Sequence, residues 1–448
     1  MMTISNLKRI YKENSNIIKN IIGSLFVRGG ALVVSFLLLP AYIRFFNGKT
    51  VLGVWYTILS ILNWVLMFDL GLGHGLRNKL PEALASNDAD SVKSYICSTY
   101  CSTVFITGIL SIIGIVIINI LNWNSIINVD SSLISGNVLK TTIMIIFIGI
   151  MLQFILKLVT SILYALQKAA VVNLLTMLSN VIILVSLYLI PSSTIEDNLI
   201  NMAFINVAAA NIPLLVSSII VFRTTLRDYF PSIHDFSKQA AMQILNIGVT
   251  LLWLQLTFMV ISSTNEFLIS FLTDPDSVVE YQVYYKIYNV ISGVFALALT
   301  PIWSAVTKAK IENKYEWIKK TYRILLLGAA AIFVVELGII PIFQKLVDLW
   351  LGNATIKISS VTALIFAVSS TIFMVHNVNT SIGNGMSFFR PQMVWMTVAA
   401  VIDVPLAWLL VKVTGGWVGV VIANILALLP FEIIQPIRLI KYLDNHRQ

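Results

Sequence analysis

The sequence predicts an all-helical integral membrane protein, and three observations predict it. Hydrophobic residues make up 58% of the chain and charged residues only 11%, where a soluble domain carries about a quarter charged because its surface must be wetted. Mean hydropathy is +0.87. Apolar runs also recur along all 448 residues, each near the about 20 residues that a helix needs to cross the hydrocarbon core.

Read between polar breaks, the runs lie near 17–46, 51–79, 94–122, 138–166, 170–190 and 199–222. A second set lies near 241–271, 279–307, 321–348, 358–382, 392–412 and 416–441, about twelve spans in all. The first run is too long for the core of a cleavable signal and lacks a small-x-small cleavage site, so it reads as a retained span. Pro40, Pro213, Pro301, Pro341, Pro405 and Pro430 fall inside spans, where a missing N–H can kink a helix. Cys97 and Cys101 sit four apart with no ligand cluster beside them, and read as small apolar packing residues.

Basic residues set the orientation, because cytoplasmic loops retain Lys and Arg. One set of alternating segments holds Lys8, Arg9, Lys12, Lys19, Arg77, Lys79, Lys93, Lys168, Arg223, Arg227 and Lys238. It continues with Lys308, Lys310, Lys314, Lys319, Lys320, Arg323, Arg390, Arg438, Lys441 and Arg447. The opposite loops hold Arg44, Lys49, Lys140, Lys345, Lys357 and Lys412. Both termini are therefore expected in the cytoplasm. The same bias accounts for most of the +9 net charge without a nucleic-acid partner.

The chain also repeats. Asn87-Asp-Ala-Asp90-Ser-Val92-Lys93 and Asn313-Lys-Tyr-Glu316-Trp-Ile318-Lys319 both fit N-x-x-[DE]-x-[VI]-K, at a spacing of 226 residues (93 to 319). Each follows an even-numbered span. Six spans per half preserve orientation, so the expected architecture is two parallel six-helix lobes, residues 1–222 and 241–448, joined by a cytoplasmic linker over 223–240. A coincidental amphipathic turn is the alternative.

Several chemistries lack their signatures. There is no G-x-x-x-x-G-K-[ST] loop, no H-E-x-x-H and no Cys-rich metal spacing, and the four histidines are scattered. The sequence therefore points to neither ATP hydrolysis nor a bound metal or cofactor. The Gly71-Leu-Gly73-His-Gly75 run lacks dinucleotide-binding spacing and reads as close packing at the end of the second span. No paired carboxylates or nucleophile at helix spacing suggest an intramembrane enzyme.

Three basic residues remain inside spans: Arg28 midway along the first, Lys157 in the inner half of the fourth and Lys286 in the outer half of the eighth. A charge at the middle of a membrane helix costs about 2.5–3.5 kcal/mol on insertion scales, so each merits a functional reading. Lining one hydrated cleft, they would hold an anion, and a pyrophosphate suits a forked guanidinium and two point charges. Snorkelling, or an internal pair such as Arg28 with Asp69, is the other reading. Asp69, Glu266 and His376 are candidates for gating or for coupling to an H⁺ or Na⁺ gradient. Glu336 and Asp403 also lie within or near the ends of later spans.

Phe68-Asp-Leu-Gly-Leu-Gly-His-Gly-Leu-Arg-Asn-Lys-Leu-Pro-Glu-Ala83, with Gly53-Val-Trp-Tyr upstream, resembles the second span of Wzx-type polysaccharide or O-antigen flippases. Tyr285-Lys-Ile-Tyr-Asn289 and Thr300-Pro-Ile-Trp-Ser-Ala-Val-Thr-Lys308 resemble the corresponding eighth span. That family lies within the multidrug/oligosaccharidyl-lipid/polysaccharide exporter superfamily. The resemblance implies a MATE-like V-shaped fold with a cationic central cavity in the bacterial inner membrane. It implies as substrate an undecaprenyl-pyrophosphate-linked oligosaccharide, flipped from the cytoplasmic to the periplasmic leaflet. Membrane lipids, and possible contacts with the glycan polymerase and glycosyltransferases of the same pathway, complete the expected partners. An ion-coupled drug or cation exporter of the same superfamily is the competing reading, and would favour acidic cavity residues.

Overall fold

A computed structural model describes residues 15–67, 71–86, 88–299, 302–352, 356–386 and 388–445. Among them there is no strand. The helices of the N-terminal half are α1 (Ser15–Phe46), α2 (Lys49–Met67), α3 (Leu72–Ala85), α4 (Ala89–Ile120), α5 (Trp123–Ile127), α6 (Gly136–Ala165), α7 (Ala169–Leu189) and α8 (Ile195–Arg223). The rest are α9 (Lys238–Ser262), α10 (Asn265–Leu272), α11 (Pro275–Leu299), α12 (Ile302–Ile311), α13 (Tyr315–Ile339), α14 (Phe343–Leu351), α15 (Ser360–Gly385), α16 (Phe389–Thr414) and α17 (Val418–Asn445).

Ten stretches of the described residues are long and apolar enough to cross a membrane. Helices α9 and α11, of 25 residues each, occupy the other two expected spans. Exposed apolar side chains such as Ile112, Ile120, Leu189 and Val334 are what a lipid-facing surface requires. Side-chain oxygens of Asp88, Asn122, Thr194 and Ser359 accept from the backbone N–H three residues on, satisfying donors that a helix start leaves open.

Four expected spans are each built from two helices. In the second, α3 starts at Gly71, whose φ of 69° is a backbone conformation that glycine adopts without a Cβ penalty. Gly75 then packs so closely that a Cβ there would lie 2.2 Å from the Ile244 carbonyl oxygen. The glycine run thus marks close packing. Pro40, Pro213, Pro405 and Pro430 lie within uninterrupted helices, and Pro341 lies in a 3-10 turn. Pro301 falls outside the described residues.

Contacts divide the chain into two compact units that are not co-extensive with the sequence halves. One comprises residues 1–41, 68–121 and 137–252, the other 42–67, 122–136 and 253–448. In the first unit the linker folds onto α4. The Ser98 hydroxyl donates to the Ser237 carbonyl at 3.1 Å and accepts from the Ser237 N–H at 2.9 Å. Tyr95 adds a hydroxyl bond to Gln243 at 2.9 Å. In the second unit α2 packs along α10 and α11. Ser60 Oγ and Trp64 Nε1 both donate to the Ser263 carbonyl, at 2.7 and 3.1 Å. A Cβ on Gly53 would lie 1.8 Å from the Pro275 carbonyl oxygen.

Each unit has an apolar core, and the two cores share a register. Leu80, Ala83, Val92 and Ile96 are buried in the first. Val306, Ala309, Ile318 and Tyr322 are buried in the second, each 226 residues further on (80 to 306, 83 to 309, 92 to 318, 96 to 322). Both copies of the sequence motif thus bury their apolar residue at the foot of the following helix.

Candidate functional site

The strongest candidate is a cavity of about 310 Å³ in the second unit, walled by α9, α10, α11, α15 and α17. Helix α11 presents Tyr281, Tyr285, Tyr288, Asn289 and Ser292 to it, and this three-to-four spacing places them on one helical face. Opposite stand Asn377, Ser369, Ser370, Phe366 and Phe373 of α15, with Phe258, Ser262, Ser263 and Asn265 nearby. Tyr281 and Tyr285 stack with ring centroids 5.5 Å apart. The Asn265 amide fixes the Tyr281 hydroxyl at 3.1 Å, and Tyr288 donates to the Ala363 carbonyl at 2.8 Å. The lining therefore combines aromatic faces with neutral donors and acceptors.

Three carboxylates of the second unit, two fully buried and one half-buried, each have a hydrogen-bond donor from a neighbouring helix. Glu336 is fully buried and accepts from Ser370 at 2.7 Å. Asp403, also fully buried, accepts from Asn424 at 2.9 Å. Half-buried Glu266 accepts from Gln282 at 2.8 Å. These bonds offset part of the cost of moving a carboxyl out of water, and the second oxygen of Asp403 is buried with no partner among the described residues.

His376 lies in a fourth cluster. Its Nδ1 is 2.8 Å from Glu432 Oε1. The other carboxylate oxygen accepts from Asn379 at 2.6 Å, whose own oxygen accepts from Tyr322. The chain of bonds links α13, α15 and α17. Phe258 stacks on the His376 ring at 5.1 Å and 8° and also lines the cavity. One aromatic ring therefore belongs to both the cavity wall and the titratable cluster.

The remaining expected site residues are spread over the chain. Lys157 is half-buried on α6, in the first unit. Lys286 is half-buried on α11, in the second. Arg28 belongs to α1, but its side chain falls outside the described residues, as does Asp69.

Sequence reasoning missed Glu432 and the Tyr-Asn lining. Glu432 lies midway along the last span and belongs to no motif. The lining did carry a signal: polar and aromatic residues at 281, 285, 288, 289 and 292 interrupt an otherwise apolar span at helical period. Three of them, Tyr285, Tyr288 and Asn289, lie in a motif that carries the family resemblance.

No protein-family model and no curated protein matches the sequence. Solved structures do match. An inward-facing multidrug resistance MATE family transporter of the MOP superfamily superposes with a TM-score of 0.74 at 14% identity, over 94% of this chain and 99% of that one. An outward-facing transporter of the same description gives 0.64 at 13% identity, over 96% of each chain. A MOP superfamily transporter from Pyrococcus furiosus, described by a binding pocket of reverse polarity, gives 0.62 at 14% identity, over 95% of this chain and 96% of that one. At such identities the likeness establishes the fold. The chain is a multi-pass helical membrane protein with the MATE transporter fold.

Proposed function

We propose that the protein is a transporter, and specifically a flippase that moves an undecaprenyl-pyrophosphate-linked oligosaccharide from the cytoplasmic to the periplasmic leaflet by alternating access. The observation that carries this reading is the cavity lining. Sugar rings offer apolar C–H faces that stack on tyrosine and phenylalanine, while their hydroxyls pair with amide and hydroxyl groups. Tyr281, Tyr285, Tyr288, Asn265, Asn289, Asn377 and the serines supply that combination.

In this reading Arg28, Lys157 and Lys286 hold the diphosphate during its passage. His376 with Glu432, and Asp69 and Glu266, are the groups through which an H⁺ or Na⁺ gradient acts. The protein sits in the bacterial inner membrane with both termini cytoplasmic, where the polymerase and glycosyltransferases of the pathway meet its substrate. An organic-cation exporter is the second reading. Glu336, one hydrogen bond behind the lining residue Ser370, and the aromatic walls are what favour it.

The test uses proteoliposomes presented with either a lipid-linked glycan or a lipophilic cation. Tyr285→Ala and Asn289→Ala are expected to raise the KM for the glycan at least about tenfold, the loss of roughly one stacking and one hydrogen-bond interaction. Cation transport that responds to the same substitutions, with no glycan transport by the parent protein, would overturn the reading in favour of the exporter.

A further inference from the structure

We propose that a groove between α7 and α8 is a binding site for one anionic glycerophospholipid of the cytoplasmic leaflet, with its phosphate held by Lys168 and the Thr225 hydroxyl. The groove has a volume of about 470 Å³ and lies wholly in the first unit. Its walls are apolar: Val171, Leu174, Leu178 and Ile182 on α7 face Ile212, Val216 and Ile220 on α8. No lining residue is acidic. Apart from Ser217, its polar side chains gather at one end, where Lys168, Thr224 and Thr225 line the mouth.

The dimensions fit one lipid chain of one leaflet. From Lys168 to Ile182 a helix rises about 21 Å, against about 15 Å for half of the hydrocarbon core. The basic end is the cytoplasmic end in the orientation proposed above, so this inference rests on that reading for its leaflet. The chain itself gives little selectivity, because bulk lipid tails are as apolar as the groove. The headgroup must decide.

Lys168 Nζ donates to Thr225 Oγ1 at 3.2 Å and has no carboxylate partner among the described residues, leaving ammonium hydrogens for a second acceptor. The Thr225 hydroxyl, accepting from Lys168, can turn its own hydrogen to the same acceptor. Arg223, exposed in the last turn of α8, adds positive charge beside them. A phosphate that carries net negative charge satisfies this mouth. The amine of a zwitterionic headgroup would meet Lys168 and no acid among the lining residues.

Native mass spectrometry of the full chain in detergent, given equimolar phosphatidylglycerol and phosphatidylcholine, tests the site. The parent protein is expected to retain one phosphatidylglycerol preferentially. Lys168→Ala should cut that preference about fivefold, the effect of one basic residue on an anionic lipid, and Lys168→Glu should abolish it. Val216→Trp, which fills the groove and leaves Lys168 in place, should lower retention of either lipid. Arg390→Ala, at another cytoplasmic loop, should change nothing. Unchanged preference in Lys168→Glu, or an equal loss in Arg390→Ala, would overturn the proposal. Full retention in Val216→Trp would also overturn it, as would displacement of phosphatidylglycerol by an equimolar polyprenyl phosphate, since the groove would then serve the transported carrier. Glycan flipping by the parent protein is measured separately, so failure of the lipid site and failure of the transport reading remain distinguishable.

Discussion

Replacing Asn379 with leucine removes the central member of the buried chain that runs from Tyr322 to His376. Asn379 is fully buried and does two things there: it donates to Glu432 Oε2 at 2.6 Å and accepts from the Tyr322 hydroxyl. Leucine fills nearly the same volume and does neither. A buried phenol and one carboxylate oxygen are left without those partners, at about 1–3 kcal/mol each, or about 2–6 kcal/mol together. Tyr322→Phe alone orphans only the Asn379 oxygen and should cost about 1–3 kcal/mol. In the double variant the phenol and its acceptor vanish together, so its cost should be clearly less than the sum of the two singles. Thermal unfolding in detergent, followed by tryptophan fluorescence at one fixed scan rate, reads the result. A Tm drop of several degrees for Asn379→Leu, with a loss in the double variant smaller than the sum of the two singles, is expected. A Tm within a degree of the parent, or a double variant that equals the sum, would refute the reasoning.

Other outcomes follow from the same structure. Gly75→Val should destabilise the protein by at least about 1–3 kcal/mol, the usual cost of overpacking, because its Cβ meets the Ile244 backbone; a variant that melts like the parent counts against that close approach. Ser98→Ala removes both bonds to Ser237 and should cost about 1–3 kcal/mol, read as earlier proteolysis within 223–240; an unchanged cleavage rate would show the linker is held otherwise. Reporter fusions after Asn198 and after Lys238 should report opposite sides of the membrane, and the same side for both would reject the orientation. Arg28→Ala should abolish flipping at normal protein abundance, while Arg28→Lys keeps part of it because the charge stays and the fork is lost; parental rates in Arg28→Ala would remove it from the diphosphate site.

The spans were legible because membrane solvation leaves so strong a mark on composition. Their internal breaks were not. Pro341 falls at the break between α13 and α14, yet Pro40, Pro213, Pro405 and Pro430 sit in continuous helices. The junction before α3 uses Gly71, and that at 263–264 contains Ser and Thr, which suit helix ends as well as interiors exposed to polar cavities. The repeat was legible through seven residues at 93 and 319. Its physical content, the burial of Val92 and Ile318 in corresponding core positions, emerges only with the folded chain.

Site residues were legible where chemistry was unusual for a membrane and obscure where it was ordinary. His376 stood out as a rare titratable group inside a span, whereas its partner Glu432 sits at the middle of Val418–Asn445 with nothing in its sequence neighbourhood to mark it as the partner. Partnership across α15 and α17 is a tertiary fact, 56 residues apart in sequence. The tyrosines of α11 are common membrane residues, and only their shared face, with Asn289 and Ser292 below them, marks them as a lining.

Leaflet-resolved transport tests the central claim most directly. Purified protein is reconstituted in liposomes with a fluorescent undecaprenyl-pyrophosphate-linked oligosaccharide, and a membrane-impermeant quencher or lectin reports the outer-leaflet fraction over time. The account predicts that the protein accelerates the exchange of labelled lipid between leaflets, that Arg28→Ala loses this, and that Tyr285→Ala weakens it. Labelled lipid that stays in its starting leaflet at the rate of protein-free liposomes, with folded protein present in the membrane, would contradict it.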